Sequence, residues 1–218
     1  MAKAVNFKLP LFMSCENKYP AGALMFGVAT GMYILCNRYH LFEPRMLPMG
    51  WVDQNTPLMP WTVWVYLSEY VFFAAVYTCV KDLEKLNQYF YSFLALQTVS
   101  CVIFVLWPTT FPRELYPLTA DSSLTYSTFA GLRSNDRPSN CCPSLHVSAV
   151  YLSTFLFTRT RRGLFPFFFA WATAISLSTL TTKQHYLVDV VAGFLMALLF
   201  HWWFSSCVFY RWGAQAKR

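Results

Sequence analysis

Six apolar runs, near residues 19–36, 61–80, 87–107, 145–158, 164–181 and 186–206, decide what this chain can fold into. About 20 apolar residues in helical form cross the hydrocarbon core of a bilayer. Hydrocarbon offers no partner to a free N–H or C=O, so a run of that length must satisfy its backbone internally, as a helix. The fourth run, LHVSAVYLSTFLFT, is short and is ended by charges. The expected fold class is an all-α integral membrane protein with six transmembrane helices, in a single membrane domain over 1–218. Composition agrees. Only 12% of the residues are charged, against roughly 25% in soluble domains.

A net charge of +7 would suit nucleic acid in a soluble protein. Here the lysines and arginines stand at the ends of apolar runs, where anionic lipid and topology account for them. Membrane lipids are therefore the expected partners, and nucleic acid is not. The first twenty residues carry Lys3, Lys8, Glu16 and Lys18 without a long apolar core, so a cleavable signal peptide is not expected. Most of the seven cysteines (Cys36, Cys79, Cys101, Cys207 among them) lie in apolar runs and read as small buried hydrophobes. Cys141 and Cys142 lie in a loop. Two adjacent cysteines are not a zinc spacing, and they read as free thiols in a tight loop.

With six spans, the termini share a side with the second-to-third and fourth-to-fifth connections. That side holds 11 of the 17 Lys and Arg, including Lys3, Lys81, Lys85, Arg159, Arg161 and Arg218. The other side holds 6: Arg38, Arg45, Arg113, Arg133, Arg137 and Lys183. The positive-inside rule puts both termini in the cytoplasm of an inner or plasma membrane. Two histidine stretches then meet at the extracytoplasmic face. One is TTKQHYLVDVVAG, residues 181–193, in which His185 and Asp189 stand one helical turn apart. The other is NCCPSLHVS, residues 140–148, in which Ser144 precedes His146 at a helix start.

The same face carries a loop of about 35 residues, 108–142, with Arg113, Arg133 and Arg137. Loops of that length in compact proteins are usually functional. The inventory suits a phosphate. Arginine forks and helix-start amides bind its oxygens. One imidazole can attack phosphorus while a carboxylate orients it, and a second imidazole can protonate the leaving oxygen. No metal and no organic cofactor is expected, since a metal phosphatase wants several carboxylates and only Asp189 is firmly placed here. Glu69, the lone charge inside the second span, reads equally as a site residue or as a protonated helix contact.

PSLH followed about 40 residues later by His-x-x-x-Asp resembles the type-2 phosphatidic acid phosphatase superfamily, over roughly residues 100–193. The resemblance implies that His185 is the nucleophile, Asp189 orients it and His146 is general acid and base. It matches Ser144 to the second motif and Ser178 to the third. Leu145 replaces the usual Gly, and Thr179 stands where the third motif has its phosphate-binding Arg. Lys183, one turn from Thr179, is a candidate for the missing charge, although Lys binds as a point charge rather than a fork. Arg113 in LWPTTFPREL is favoured as the first-motif Arg over Arg137, which has the Arg-Pro dipeptide but lies close to Pro143. The forms PSLH and TKQHYLVD resemble the branch related to inositol phosphorylceramide synthases. The implied activity is hydrolysis of a lipid phosphate monoester or diphosphate through a phosphohistidine, with phosphatidic acid, phosphatidylglycerol phosphate or a polyprenyl diphosphate as expected substrates. The alternative is transfer of a phospho-headgroup onto a lipid alcohol. A small transporter or pore fits less well, because transporter charges collect near the bilayer midplane.

Overall fold

The computed structural model describes residues 8–11, 13–205 and 208–211. Lys3, Lys217 and Arg218, which count toward the topology, lie outside the described residues, as do Cys207 and residue 206 at the end of the last expected span. In chain order the helices are α1 (Lys18–Arg38), α2 (Trp51–Asn55), α3 (Val63–Leu67), α4 (Glu69–Cys79), α5 (Leu83–Leu106), α6 (Leu124–Asn135), α7 (Leu145–Phe155), α8 (Phe165–Thr181) and α9 (Leu187–Ser205). A 3-10 turn, Pro60–Thr62, leads into α3, and another, Leu156–Thr158, prolongs α7. Five helical segments are long and apolar enough to cross a membrane: 18–38, 60–79, 83–106, 162–181 and 187–205. Leu145–Thr158 is a sixth, shorter apolar helix. The protein is an all-α membrane protein.

α7 can be short because it is central. Every residue from Val147 to Phe155 is buried, against α4, α5, α8 and α9. Its serine and threonine hydroxyls cost little in that dry setting, because each finds a backbone carbonyl. Ser148 donates to Leu145 O (3.0 Å), Ser153 to Ala149 O (2.7 Å) and Thr154 to Val150 O (2.8 Å). Small side chains of this kind let neighbouring helices approach closely. α1 and α9 are peripheral: only 17% and 22% of their apolar windows are buried, so most of each faces outward.

Two departures from the sequence expectation have local causes. The second span is divided at Ser68, whose hydroxyl donates to Val65 O (2.6 Å) and accepts from Trp171 Nε1 (2.9 Å). Back-bonding by serine bends helices. The third span begins at Leu83 rather than 87. Asp82 accepts from the amides of Glu84 (3.0 Å) and Lys85 (3.1 Å), so it caps and opens the helix.

The two long connecting segments, 39–59 and 107–144, are ordered by backbone pairing. β2 (Arg45–Met46) runs parallel to β3 (Thr109–Thr110), and Thr109 bridges to Asn140. Met59 N–H donates to Thr181 O (2.9 Å), which ties the proline-rich segment to the end of α8. On the terminal side, β1 (Lys8–Leu11) pairs parallel with β4 (Val208–Arg211).

Candidate functional site

The two histidine stretches meet because α7 and α9 cross almost in backbone contact. A Cβ at Gly193 would lie 2.5 Å from Ser144 O and 3.1 Å from the Val147 Cβ. Only glycine allows that approach. Ser144 N–H donates to Asp189 O (3.1 Å), and the Ser144 hydroxyl caps α7 by accepting from Val147 N–H (3.4 Å). The rings of His146 and His185 come to 5.8 Å between centroids, inclined at 62°.

His185 is oriented through one nitrogen. Its Nδ1 lies 2.9 Å from Cys141 O and 3.4 Å from Asp189 Oδ2. Both partners are acceptors, so in the neutral ring Nδ1 carries the hydrogen and Nε2 keeps its lone pair. Asp189 is fully buried, and its Oδ2 also accepts from Tyr186 N–H (2.9 Å).

His146 has a partner set of its own. Its Nε2 lies 2.5 Å from the Tyr66 hydroxyl and 3.3 Å from Glu69 Oε1. Each imidazole therefore has a carboxylate. One pair joins the turn before α9 to the first turn of that helix, and the other spans α4 and α7.

Arg113 is buried beside the same turn. Nη1 donates to Asp136 O (2.5 Å), Nη2 lies 3.7 Å from Asp136 Oδ2, and Nη2 also donates to Gln184 Oε1. Asp136 in turn accepts from the Tyr33 hydroxyl. Arg113 Nε is buried with no hydrogen-bond partner among the described residues. Arg137 is exposed, and its backbone is held by Asn37. Arg133 is used within the loop: Nη1 donates to Tyr116 O (2.8 Å), its guanidinium lies 4.8 Å from the Phe129 ring centroid, and burial lowers its pKa to about 10.

Two other candidates are committed to the scaffold. The turn after α8 is a Schellman closure: Lys183 N–H donates to Leu180 O (3.2 Å) and Gln184 N–H to Thr179 O (3.0 Å). Lys183 takes the left-handed position, φ 56°, that glycine usually fills. Its ammonium donates to Asp53 O (2.9 Å) and lies 4.3 Å from the Tyr116 ring centroid. Burial lowers its pKa, against the opposing charge of Asp53. Asp53 Oδ1 also accepts from Leu187 N–H (2.7 Å), so α2 caps α9. The Thr179 hydroxyl turns back to Ser176 O (2.7 Å), while its carbonyl anchors the Schellman turn. Ser178 likewise donates to Ile175 O (2.6 Å).

Sequence reasoning missed Tyr66, Asp136, Gln184, Asp53 and the carbonyl of Cys141. Two carboxylates, Glu69 and Asp189, pair with the histidines and a third, Asp136, pairs with Arg113, where only one was placed from sequence. Gln184, beside His185, and Tyr66, three residues before Glu69 on one helical face, were the available signals. Cys141 and Cys142 are free and buried. Burial pushes the Cys141 thiol up and the Cys142 thiol up to about 12, the nearby Asp189 adding to both. Among the described residues, Cys141, His185 and Asp189 place donor atoms within 4.8 Å of one another. The Cys141 thiol is occupied by Pro138 O (3.5 Å) and Gln184 O (3.7 Å), and its carbonyl and Asp189 share His185 Nδ1. The thiol and the ring nitrogen are thus engaged in hydrogen bonds, while Asp189 Oδ1 is buried with no partner among the described residues, and burial that disfavours the thiolate makes the cluster a poor fit to a thiolate metal site.

The class defined by this fold is an all-helical membrane protein with a two-histidine site at one end of its central helix. Residues 36–203 match the family model of the PAP2 superfamily, and the chain belongs to that superfamily. Membership supports a phosphatase-type lipid phosphoesterase function. None of the curated proteins matches the chain.

Proposed function

We propose that the protein hydrolyses a lipid phosphate monoester or diphosphate through a phosphohistidine at His185, in one membrane domain with cytoplasmic termini and an extracytoplasmic site. The observation that carries this reading is the pair of acceptors on His185 Nδ1, which leaves Nε2 as the nucleophile. Nε2 attacks phosphorus, the bond from phosphorus to the lipid oxygen breaks, and His146 gives that oxygen its proton. Asp189 stabilises the cationic ring that results. Water then attacks phosphorus, the N–P bond breaks, and His146 takes the water's proton.

Arg113 and the first amides of α7 hold the phosphoryl oxygens, where a charge-assisted hydrogen bond contributes roughly 1.5–3 kcal/mol. Tyr66 and Glu69 hold His146 in place and keep its proton available. Arg137 and Lys183 contribute charge at the mouth rather than direct contacts. A second reading, transfer to a lipid alcohol in the manner of the branch related to inositol phosphorylceramide synthases, draws support from the PSLH form and from an apolar crevice ending at His146.

The test is a phosphoenzyme trap with labelled lipid phosphate in the purified protein. An acid-labile, alkali-stable label is expected in wild type. It should be absent in His185→Ala, whose turnover should fall on the order of 10⁴-fold. A labelled His185→Ala protein, or one keeping a tenth of the activity, refutes the assignment.

A further inference from the structure

A crevice of about 140 Å3 lies between α1, α4, α5 and α7. Phe26, Ala29, Phe73, Phe93, Leu145 and Ala149 make it apolar, and Tyr33, Glu69, Gln97 and His146 make its outer end polar. Its shape follows from how α1 meets α4. At the inner end the two helices are pinned: the Tyr77 hydroxyl donates to Lys18 O (2.7 Å), Lys18 Nζ donates to Val80 O (2.7 Å), and a Cβ on Gly22 would lie 2.7 Å from the Tyr77 ring. Midway, the Phe26 ring meets Phe73 at 5.3 Å and Phe93 at 6.0 Å, which closes the floor. Farther out the crevice opens sideways, with Thr30 and Tyr70 exposed at its edge. At the polar end, Glu69 Oε2 is buried without a hydrogen-bond partner among the described residues.

We propose that this crevice holds one hydrocarbon chain of the lipid's alcohol portion, with the ester oxygen seated beside His146 and Glu69. The inference rests on reading His146 as the group that protonates the leaving oxygen. The leaving group must then lie on the His146 side of phosphorus, and the crevice that leads on from there between these helices is apolar. An alcohol hydroxyl supplies the donor that Glu69 Oε2 lacks. Seven residues separate Phe26 from Tyr33 along α1, so the chain has ~10 Å before it meets the aromatic floor.

The same geometry lets a bound lipid alcohol re-enter the reaction. Its oxygen attacks the phosphohistidine, its proton goes to His146, the N–P bond breaks and His185 is regenerated. Water and a single-chain alcohol therefore compete for one position.

The experiment uses the full chain in lipid nanodiscs, with a series from ethyl to dodecyl phosphate and nitrophenyl phosphate as a reference. The expected kcat/KM rises steeply with chain length and levels once the chain reaches the floor. Phe26→Ala should move the plateau to longer chains. Thr30→Trp, at the exposed edge where folding is spared, should lose at least tenfold more on decyl phosphate than on nitrophenyl phosphate. In parallel, decyl phosphate carrying a terminal diazirine is photolysed with His185→Ala, and label is expected on Phe26, Phe73 or Phe93. A flat chain-length series, or label confined to other helices, overturns the crevice while leaving the nucleophile untouched. Nitrophenyl phosphate turnover that survives His185→Ala refutes the nucleophile instead, and the crosslink still decides the crevice.

Discussion

Replacing Gly193 by alanine separates two effects of opposite sign. In a helix interior Ala is favoured over Gly by about 1 kcal/mol, so the substitution stabilises wherever there is room. At Gly27 and Gly31 nothing lies within 4 Å of an added Cβ, and Gly27→Ala and Gly31→Ala should be neutral or stabilising. At Gly193 the new Cβ meets the Ser144 carbonyl oxygen at 2.5 Å, and contacts under 3.0 Å are essentially never seen. The obstacle is backbone, which cannot rotate away. α7 and α9 must part by at least half an ångström. Overpacking of this kind costs about 1–3 kcal/mol, and against rigid backbone the upper half applies. The net loss is then about 1–2 kcal/mol, or roughly 2–8 °C in Tm for a chain of this size. The separation also moves His146 away from His185. Since a 1 Å misplacement can lower the rate about 10²-fold, kcat should fall roughly tenfold. Thermal unfolding in detergent and lipid phosphate turnover, with Gly27→Ala alongside, make the comparison. A Gly193→Ala protein as stable and as active as Gly27→Ala would show that the helices do not cross as described.

Glu69→Gln keeps volume but removes the carboxyl group beside His146. Its turnover of lipid phosphates should fall on the order of tenfold or more, and less on nitrophenyl phosphate, whose leaving group needs little protonation. Equal losses on the two substrates count against a role for Glu69 through His146. Arg113→Lys keeps charge but cannot reach Asp136, Gln184 and phosphate together, so kcat/KM should drop at least ~10-fold, with Arg137→Lys much milder. The reverse order would reassign the first-motif arginine. For thiol labelling at pH 8, burial keeps Cys142 almost wholly as the unreactive thiol, since it pushes the pKa up to about 12. Exposed Cys15 should react with iodoacetamide in the folded protein, and Cys141 and Cys142 only after unfolding. Early loss of the Cys142 thiol in a peptide map contradicts its burial.

What was legible in the sequence is what is local or set by the bilayer. Apolar length alone located α1, α5, α8 and α9 to within a few residues, because a membrane run has no alternative to helix. The pair His185 and Asp189 was readable because a four-residue spacing suggests one helical turn, although His185 itself stands in the turn that precedes α9. His146 and Glu69 stand 77 residues apart. Their meeting depends on how α4 leans on α7, which no window of sequence reports. The same holds for Asp53 and Asp136, which sit in proline-rich and polar segments with ordinary loop composition. Lys183 misled for a different reason. Its charge and position suited phosphate, but the left-handed backbone at the Schellman turn sends the side chain toward Asp53 instead.

The Cys141 carbonyl on His185 has a genetic consequence. Of the two acceptors that hold the ring, one belongs to a side chain and the other to the main chain, and substitution can erase only the first. Asp189→Asn should therefore keep the tautomer, since Cys141 O still accepts from Nδ1, and lose chiefly the negative charge that steadies the imidazolium. Its deficit should be shallower than that of His185→Ala. Variation at position 141 itself should be tolerated wherever the new side chain fits, because the residue acts through an atom that every amino acid carries.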